Sequence, residues 1–171
     1  TEDSAVLLEE IQRENLGSLW TEEMHRVSGR TLLGRSLGFD FPDCSREALC
    51  ANAEEWLGPF LSGVRSLGEA RRINAVLALE TWLGRERKRL LDDLFPESIS
   101  VPSGSRVQIE YSEKEAVLSV KLQELFGLTE TPAVARGRLP LTLHLLSPAR
   151  RPIQITRDLA GFWKRTYPEV R

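Results

Sequence analysis

From Ser4 to Val27 the apolar positions recur at helical spacing (Leu8, Ile11, Leu16, Leu19, Trp20, Met24, Val27), with a break offered at Gly17-Ser18; the pattern predicts one or two helices. Gly38 to Asp43 carries Pro42 and two aspartates and predicts a loop. Asp43 or Ser45 then supplies an N-cap for a helix running to about Leu57, which Gly58-Pro59 stops or kinks. A second periodic segment, from Glu69 to about Leu94, sets Ile73, Val76, Leu77, Leu83, Leu90, Leu91 and Leu94 on one face and closes at Pro96. The first half of the chain is expected to be helical.

After Ser98 the period drops to two. Val107, Ile109 and Tyr111 alternate with polar residues, and Ala116, Leu118, Val120 and Leu122 do so behind them, which predicts two strands joined across Ser112–Glu115. Leu122, Leu125 and Phe126 suit a short helix ended by Gly127 in the left-handed cap position. Leu139, Leu141, Leu143 and Leu145 alternate again, Ile153 and Ile155 make a last strand, and Leu159, Phe162, Trp163 and Tyr167 share a face of a terminal helix starting near Thr156. The fold class that follows is α+β: a helical N-terminal half, then a small, mostly antiparallel sheet with flanking helices. The boundary falls near residue 97, giving a helical region 1–97 and an α+β region 98–171 joined by a loop short enough for the two to share one core. The chain shows no repeats and no Ser/Gly linker.

A length of 171 residues suffices to bury a core without metal or disulfide support. The chain opens at Thr1 without an initiator Met or a signal segment, as a piece cut from something longer would. Charged residues or glycine interrupt every apolar run, so no bilayer span is expected. Cys44 and Cys50 are too few and too close for a secreted disulfide framework, which points to a reducing cytoplasm. Charge is unevenly divided. Residues 1–100 hold 12 basic and 18 acidic side chains, residues 101–171 hold 11 and 7, so a net of −6 is followed by one of +4. The basic second part directs attention to an anionic partner.

Catalytic chemistry finds little support. No G-x-x-x-x-G-K-[ST] run exists to cradle nucleotide phosphates, and Gly58–Gly63 lacks the G-x-S-x-G spacing of a serine nucleophile. The two histidines, His25 and His144, and the two cysteines do not have metal-site spacing, so neither a metal nor a catalytic residue is expected. Paired carboxylates (Glu54-Glu55, Asp92-Asp93) and the basic run Arg85, Arg87, Lys88, Arg89 fit solvated helix faces. Val101–Val107 is either an ordinary turn into a strand or a place where Gly104 and Arg106 meet a phosphate. Arg136 and Arg138 flank Gly137 in one connection, Arg150-Arg151 lie between two prolines in another, and Lys164-Arg165 add charge on the last helix. These seven residues, Arg106 included, are the candidates for contact with a nucleic-acid backbone. Phe162 and Trp163 share the face a helix buries, so exposed stacking aromatics are not expected.

Val120–Pro132, Leu143–Pro152 and Thr156–Trp163, with Val101–Arg106 before them and Tyr167–Arg171 after, closely resemble the C-terminal region specific to HrpB-type DExH helicases. Residues 1–97, including Glu54–Phe60, look like the less distinctive helical region that precedes it. The resemblance implies a parent whose two RecA-like motor domains, winged helix, helical bundle and oligonucleotide-binding fold lie upstream in cis, using ATP and Mg. The family's catalytic motifs transfer to no position here, and the Lys, Arg and Pro-rich tail usual in the family does not follow. The resulting expectation is a non-catalytic accessory module, without cofactor of its own, that contacts RNA or single-stranded nucleic acid beside the motor. A protein-interaction or scaffolding module docking on the helicase core or another protein is the alternative.

Overall fold

The computed structural model describes residues 2–170; Thr1, where the chain opens, and Arg171, the last residue of the Tyr167–Arg171 block, lie outside the described residues. The chain forms two compact units, one up to Leu91 and one from Asp92 onward.

In the first unit, α1 (Glu2–Arg13) leads through a 3-10 turn at Gly17–Leu19 to α2 (Glu22–Ser36). The Thr21 hydroxyl caps α2 by accepting from the Met24 amide at 3.1 Å. Periodicity carries this helix only to Val27, because the buried positions beyond it include Ser28, Gly29, Arg30, Thr31 and Gly34, which no apolar pattern reveals. Ser45 caps α3 (Arg46–Ala51), Asn52 interrupts, and α4 (Ala53–Trp56) gives way to a 3-10 turn at Gly58–Leu61. Trp56 is fully buried and its indole N–H donates to the Leu49 carbonyl at 2.8 Å, satisfying the polar end of a large apolar side chain.

The segment expected to be one long helix from Glu69 to Leu94 is three: α5 (Leu67–Ala70), α6 (Ala75–Leu83) and α7 (Arg85–Leu94). Two local causes decide this. The Asn74 side chain accepts from the Leu77 amide and so begins a new helix, and Gly84 sits at φ 91, ψ 164, a region only glycine occupies cheaply. Leu77, predicted to face inward, is consequently 51% exposed. Arg87 and Lys88 of the basic run pair with Asp40 and Glu80, as a solvated face would.

The second unit is built on a five-stranded sheet, ordered β1 (Ser98–Ser100), β2 (Arg106–Tyr111), β3 (Ala116–Lys121), β6 (Thr142–Leu146), β7 (Pro152–Thr156). All neighbours are antiparallel except β3 and β6, which run parallel. A parallel pair needs a crossover. It contains a 3-10 turn at Leu122–Leu125 and a small ribbon of β4 (Ala133–Val134) with β5 (Leu139–Pro140). Ile109, Leu118, Val120, Leu143 and Leu145 line the buried face with Phe95, whose ring meets Tyr111 edge-on. Burial of each large side chain contributes roughly 1.5–3 kcal/mol. The terminal helix begins at Asp158 rather than Thr156: Thr156 accepts from the Asp158 amide, and Asp158 caps α8 (Leu159–Gly161). A π-type turn (Phe162–Thr166) and α9 (Tyr167–Val170) follow. Among the described residues no helix is long and apolar enough to cross a membrane.

Candidate nucleic-acid interface

The strand register places Arg106, Arg150 and Arg151 at one end of the sheet, whereas Arg136 and Arg138 lie on the β4–β5 ribbon and Lys164 and Arg165 on the terminal helix. Ser100 pairs with Arg106, Lys121 with Leu146, and Leu146 with Pro152, so the β1–β2 turn, the exit of β3 and the β6–β7 turn share one end. Tyr111 pairs with Ala116 and Leu143 with Thr156, so the β2–β3 turn, the start of β6 and the exit of β7 share the other.

At the first end, Arg106 donates to the Ser98 hydroxyl at 2.8 Å and the Ser100 hydroxyl at 3.3 Å, clasping the neighbouring strand. The turn before it does not form a phosphate cradle. The Ser103 amide donates to the Glu124 carbonyl, that of Gly104 to Val101, and that of Ser105 to the Ser103 hydroxyl, so these N–H groups are used inside the chain. Arg150 and Arg151 occupy the β6–β7 turn, which Ser147 organises by accepting from Arg150 at its carbonyl and from Arg151 at its hydroxyl. Arg150 holds φ 63, an uncommon conformation for an arginine. Both arginines are exposed, and among the described residues neither is in an ion pair. Lys121 lies at the same end and was not singled out by the sequence, where it alternates as an ordinary strand lysine.

Arg136 and Arg157 are paired off. Arg136 lies 3.2 Å from the Asp93 carboxylate, and Arg157 meets Glu115 at 3.6 Å while its Nε donates to the Thr142 hydroxyl at 2.8 Å. Arg136 and Asp93 are both largely exposed, so their pair stabilises by at most about 1 kcal/mol. The Arg136 backbone is more constrained than its side chain. Val134 accepts from the Gly137 amide around Ala135 (φ 55) and Arg136 (φ 58), a turn whose two central positions ordinarily favour Asn and Gly. Arg138 closes the same connection and is exposed.

On the terminal helix Lys164 is exposed, whereas Arg165 reaches back to Asp158 at 2.9 Å. The Gly161 amide and the Arg165 guanidinium hold the Asp158 carboxyl below its ordinary range. A Cβ at Gly161 would displace the ends of both side chains of that ion pair.

Contrary to expectation, the unit does present aromatic surface. Phe162 is buried and Trp163 half-buried, its indole N–H donating to the Leu128 carbonyl at 2.7 Å, but Phe126 is 50% exposed. Its ring centroid lies 6.0 Å from those of both Trp163 and Tyr167. The reason is the helix type: in a 3-10 turn residues three apart eclipse, so Leu122 and Leu125 share the buried side and Phe126 turns off it. Elsewhere, burial pushes the Cys44 thiol up to about 11, which keeps it protonated and unreactive at neutral pH. Among the described residues no three His, Cys, Asp or Glu side chains come together to hold a metal ion.

Residues 56–171 match the family model described as ATP-dependent helicase C-terminal. The chain is 41% identical over 155 residues to the ATP-dependent RNA helicase HrpB of Escherichia coli (strain K12), an alignment that covers 89% of this chain and 19% of that protein. The crystal structure of the E. coli DExH-box NTPase HrpB superposes with a TM-score of 0.87 at 41% identity, covering 95% of this chain and 21% of that one. That of the E. coli DEAH/RHA helicase HrpB gives 0.81 at 39% identity, covering 96% and 21%. The family match spans the whole sheet unit and the relatives extend over most of the helical unit as well, so this chain belongs to the ATP-dependent helicase C-terminal family.

Proposed function

We infer that this chain is a non-catalytic accessory module of an ATP-dependent RNA helicase and contacts the RNA backbone beside the motor, in the cytoplasm. The observation that carries this is the end of the sheet where Arg150, Arg151 and Lys121 gather on a relative of a protein named as an RNA helicase. Guanidinium groups on an ordered turn suit phosphate oxygens, and neutralising phosphates releases counterions. ATP and Mg2+ do not fit the residues present: the sequence has no phosphate-binding loop, and no metal-holding cluster exists among the described residues. Those groups belong to motor domains in cis, in the larger part of the relative that this chain does not span. The rival reading, a surface docking on the helicase core or another protein, draws on Ile155, which is 63% exposed on the edge strand β7.

Anisotropy of a labelled single-stranded RNA, titrated at several salt concentrations, tests the reading. Binding that weakens with salt, and is abolished when Arg136, Arg138, Arg150 and Arg151 are all changed to Glu, is the expected result. No binding at low salt overturns it.

A further inference from the structure

Phe126 and the unpaired cations both follow strand exits at one end of the sheet. Phe126 follows Lys121 by way of the 3-10 turn, while the turn bearing Arg150 and Arg151 follows Leu146, the residue paired with Lys121. Beside Phe126 is a cleft of about 370 Å³ lined by Phe126, Gly127, Leu128, Thr129, Trp163 and Tyr167. Gly127 holds φ 96, and a Cβ there would meet nothing within 4 Å, so the wall is kept low by a residue whose backbone excludes a side chain. The rings of Phe126, Trp163 and Tyr167 brace one another at centroid distances of 5.2–6.0 Å, which holds the exposed Phe126 face in place before any ligand arrives.

We propose that this cleft stacks a base of single-stranded nucleic acid on the face of Phe126, with the flanking phosphates carried by Arg150 and Arg151. The proposal rests on the reading that this unit meets nucleic acid, and adds that it holds unpaired bases as well as backbone. The charge around the cleft selects this occupant. Lys164 follows Trp163 on the helix and is exposed, Lys121 and the Arg150-Arg151 pair follow strand exits at the end from which Phe126 leaves, and among the described acidic side chains Asp158 is held by Arg165, while Glu124 meets the Ser103 hydroxyl and Glu130 is exposed. A protein's apolar anchor would be indifferent to those cations. A base with its phosphates uses both, because every base has a π-face and every linkage a charge. An unpaired strand is required, since in a duplex the faces are occupied by neighbouring bases.

The test compares a labelled ten-nucleotide oligouridylate with an abasic phosphodiester of equal length, each titrated with this chain and with Phe126→Ala and Phe126→Tyr variants. Phe126 is half exposed, so its truncation leaves the core intact. Stacking is worth about 1–3 kcal/mol per base, which corresponds to a loss of roughly 5- to 150-fold for Phe126→Ala on the base-bearing strand. Affinity for the abasic strand and the salt slope should stay unchanged, and Phe126→Tyr should restore binding. Equal affinity for the two strands, or indifference to Phe126→Ala, overturns the stacking site while leaving the backbone reading intact, and the aromatics then belong to a protein contact. If neither strand binds at low salt, both readings fall.

Discussion

Two regions of the sheet unit carry arginines that differ in what they do. Near the β2–β3 turn Arg157 lies against Glu115 and satisfies the buried Thr142 hydroxyl, and on the β4–β5 ribbon Arg136 lies against Asp93. At the end of the sheet shared by the β1–β2 and β6–β7 turns Arg106 is spent on β1, but Arg150 and Arg151 stand on a turn with no carboxylate assigned to them among the described residues. Arginine content therefore says little about function until the partners of each side chain are known: the same residue type fastens one region and leaves charge available in the other.

The sharpest way to break the comparison is to reverse charge in one region at a time. Arg150→Glu with Arg151→Glu should lower single-stranded RNA affinity at least about tenfold and flatten the log–log salt slope by about 0.7 per lost contact, whereas Arg136→Glu with Arg138→Glu should change affinity less than twofold. Equal losses from both pairs would mean that the regions are not functionally distinct. Removing a fastening gives the complementary result. Arg157→Ala strips the donor from Thr142, which is 5% exposed, and should cost about 1 kcal/mol in denaturant unfolding without affecting RNA binding.

Acid should act on the fastening of the terminal helix. The Asp158 carboxyl is held low in the folded chain by the Gly161 amide and Arg165, so its contribution is complete above the unfolded value of about 3.9 and is lost as pH falls through the lower folded value. Near-ultraviolet circular dichroism followed from pH 7 to pH 2 should show an acid loss of terminal-helix packing, whereas Asp158→Ala, with no carboxyl to protonate there, should show the weakened packing already at pH 7. The smallest effect concerns the strained turn: Arg136→Gly relieves a left-handed non-glycine conformation and should raise stability by up to about 1 kcal/mol, even though it deletes the ion pair with Asp93. A stability loss there would show that the exposed pair matters more than backbone strain.

Legibility varied with the kind of signal. The strand Ser98–Ser100 lies ahead of the alternating residues and carries no such signal, whereas the Arg106–Tyr111, Ala116–Lys121 and Pro152–Thr156 strands follow theirs closely. Those patterns are written in large apolar side chains. Where local backbone chemistry overrode them, the pattern misled: Asn74 and Gly84 cut one periodic segment into three helices. The candidate arginines are visible as residues, but their pairing is not, because Asp93 is 43 positions from Arg136 and Glu115 is 42 from Arg157, and only the tertiary fold brings them together. The exposure of Phe126 is not legible in the sequence, because a one-turn helix of unknown type does not announce which side its last residue faces.

The sequence by itself determined that this chain is α+β, that its second part is cationic, that no nucleotide-binding loop is present, and which helicase family it resembles, since each of these follows from composition, short-range period or ordered motifs along the chain. Tertiary structure decided which cations are paired, where they sit on the sheet, and that Phe126 stands half exposed beside an aromatic cleft. Those outcomes depend on contacts between residues distant in sequence, whose meeting is set by register and by the parallel crossover between β3 and β6.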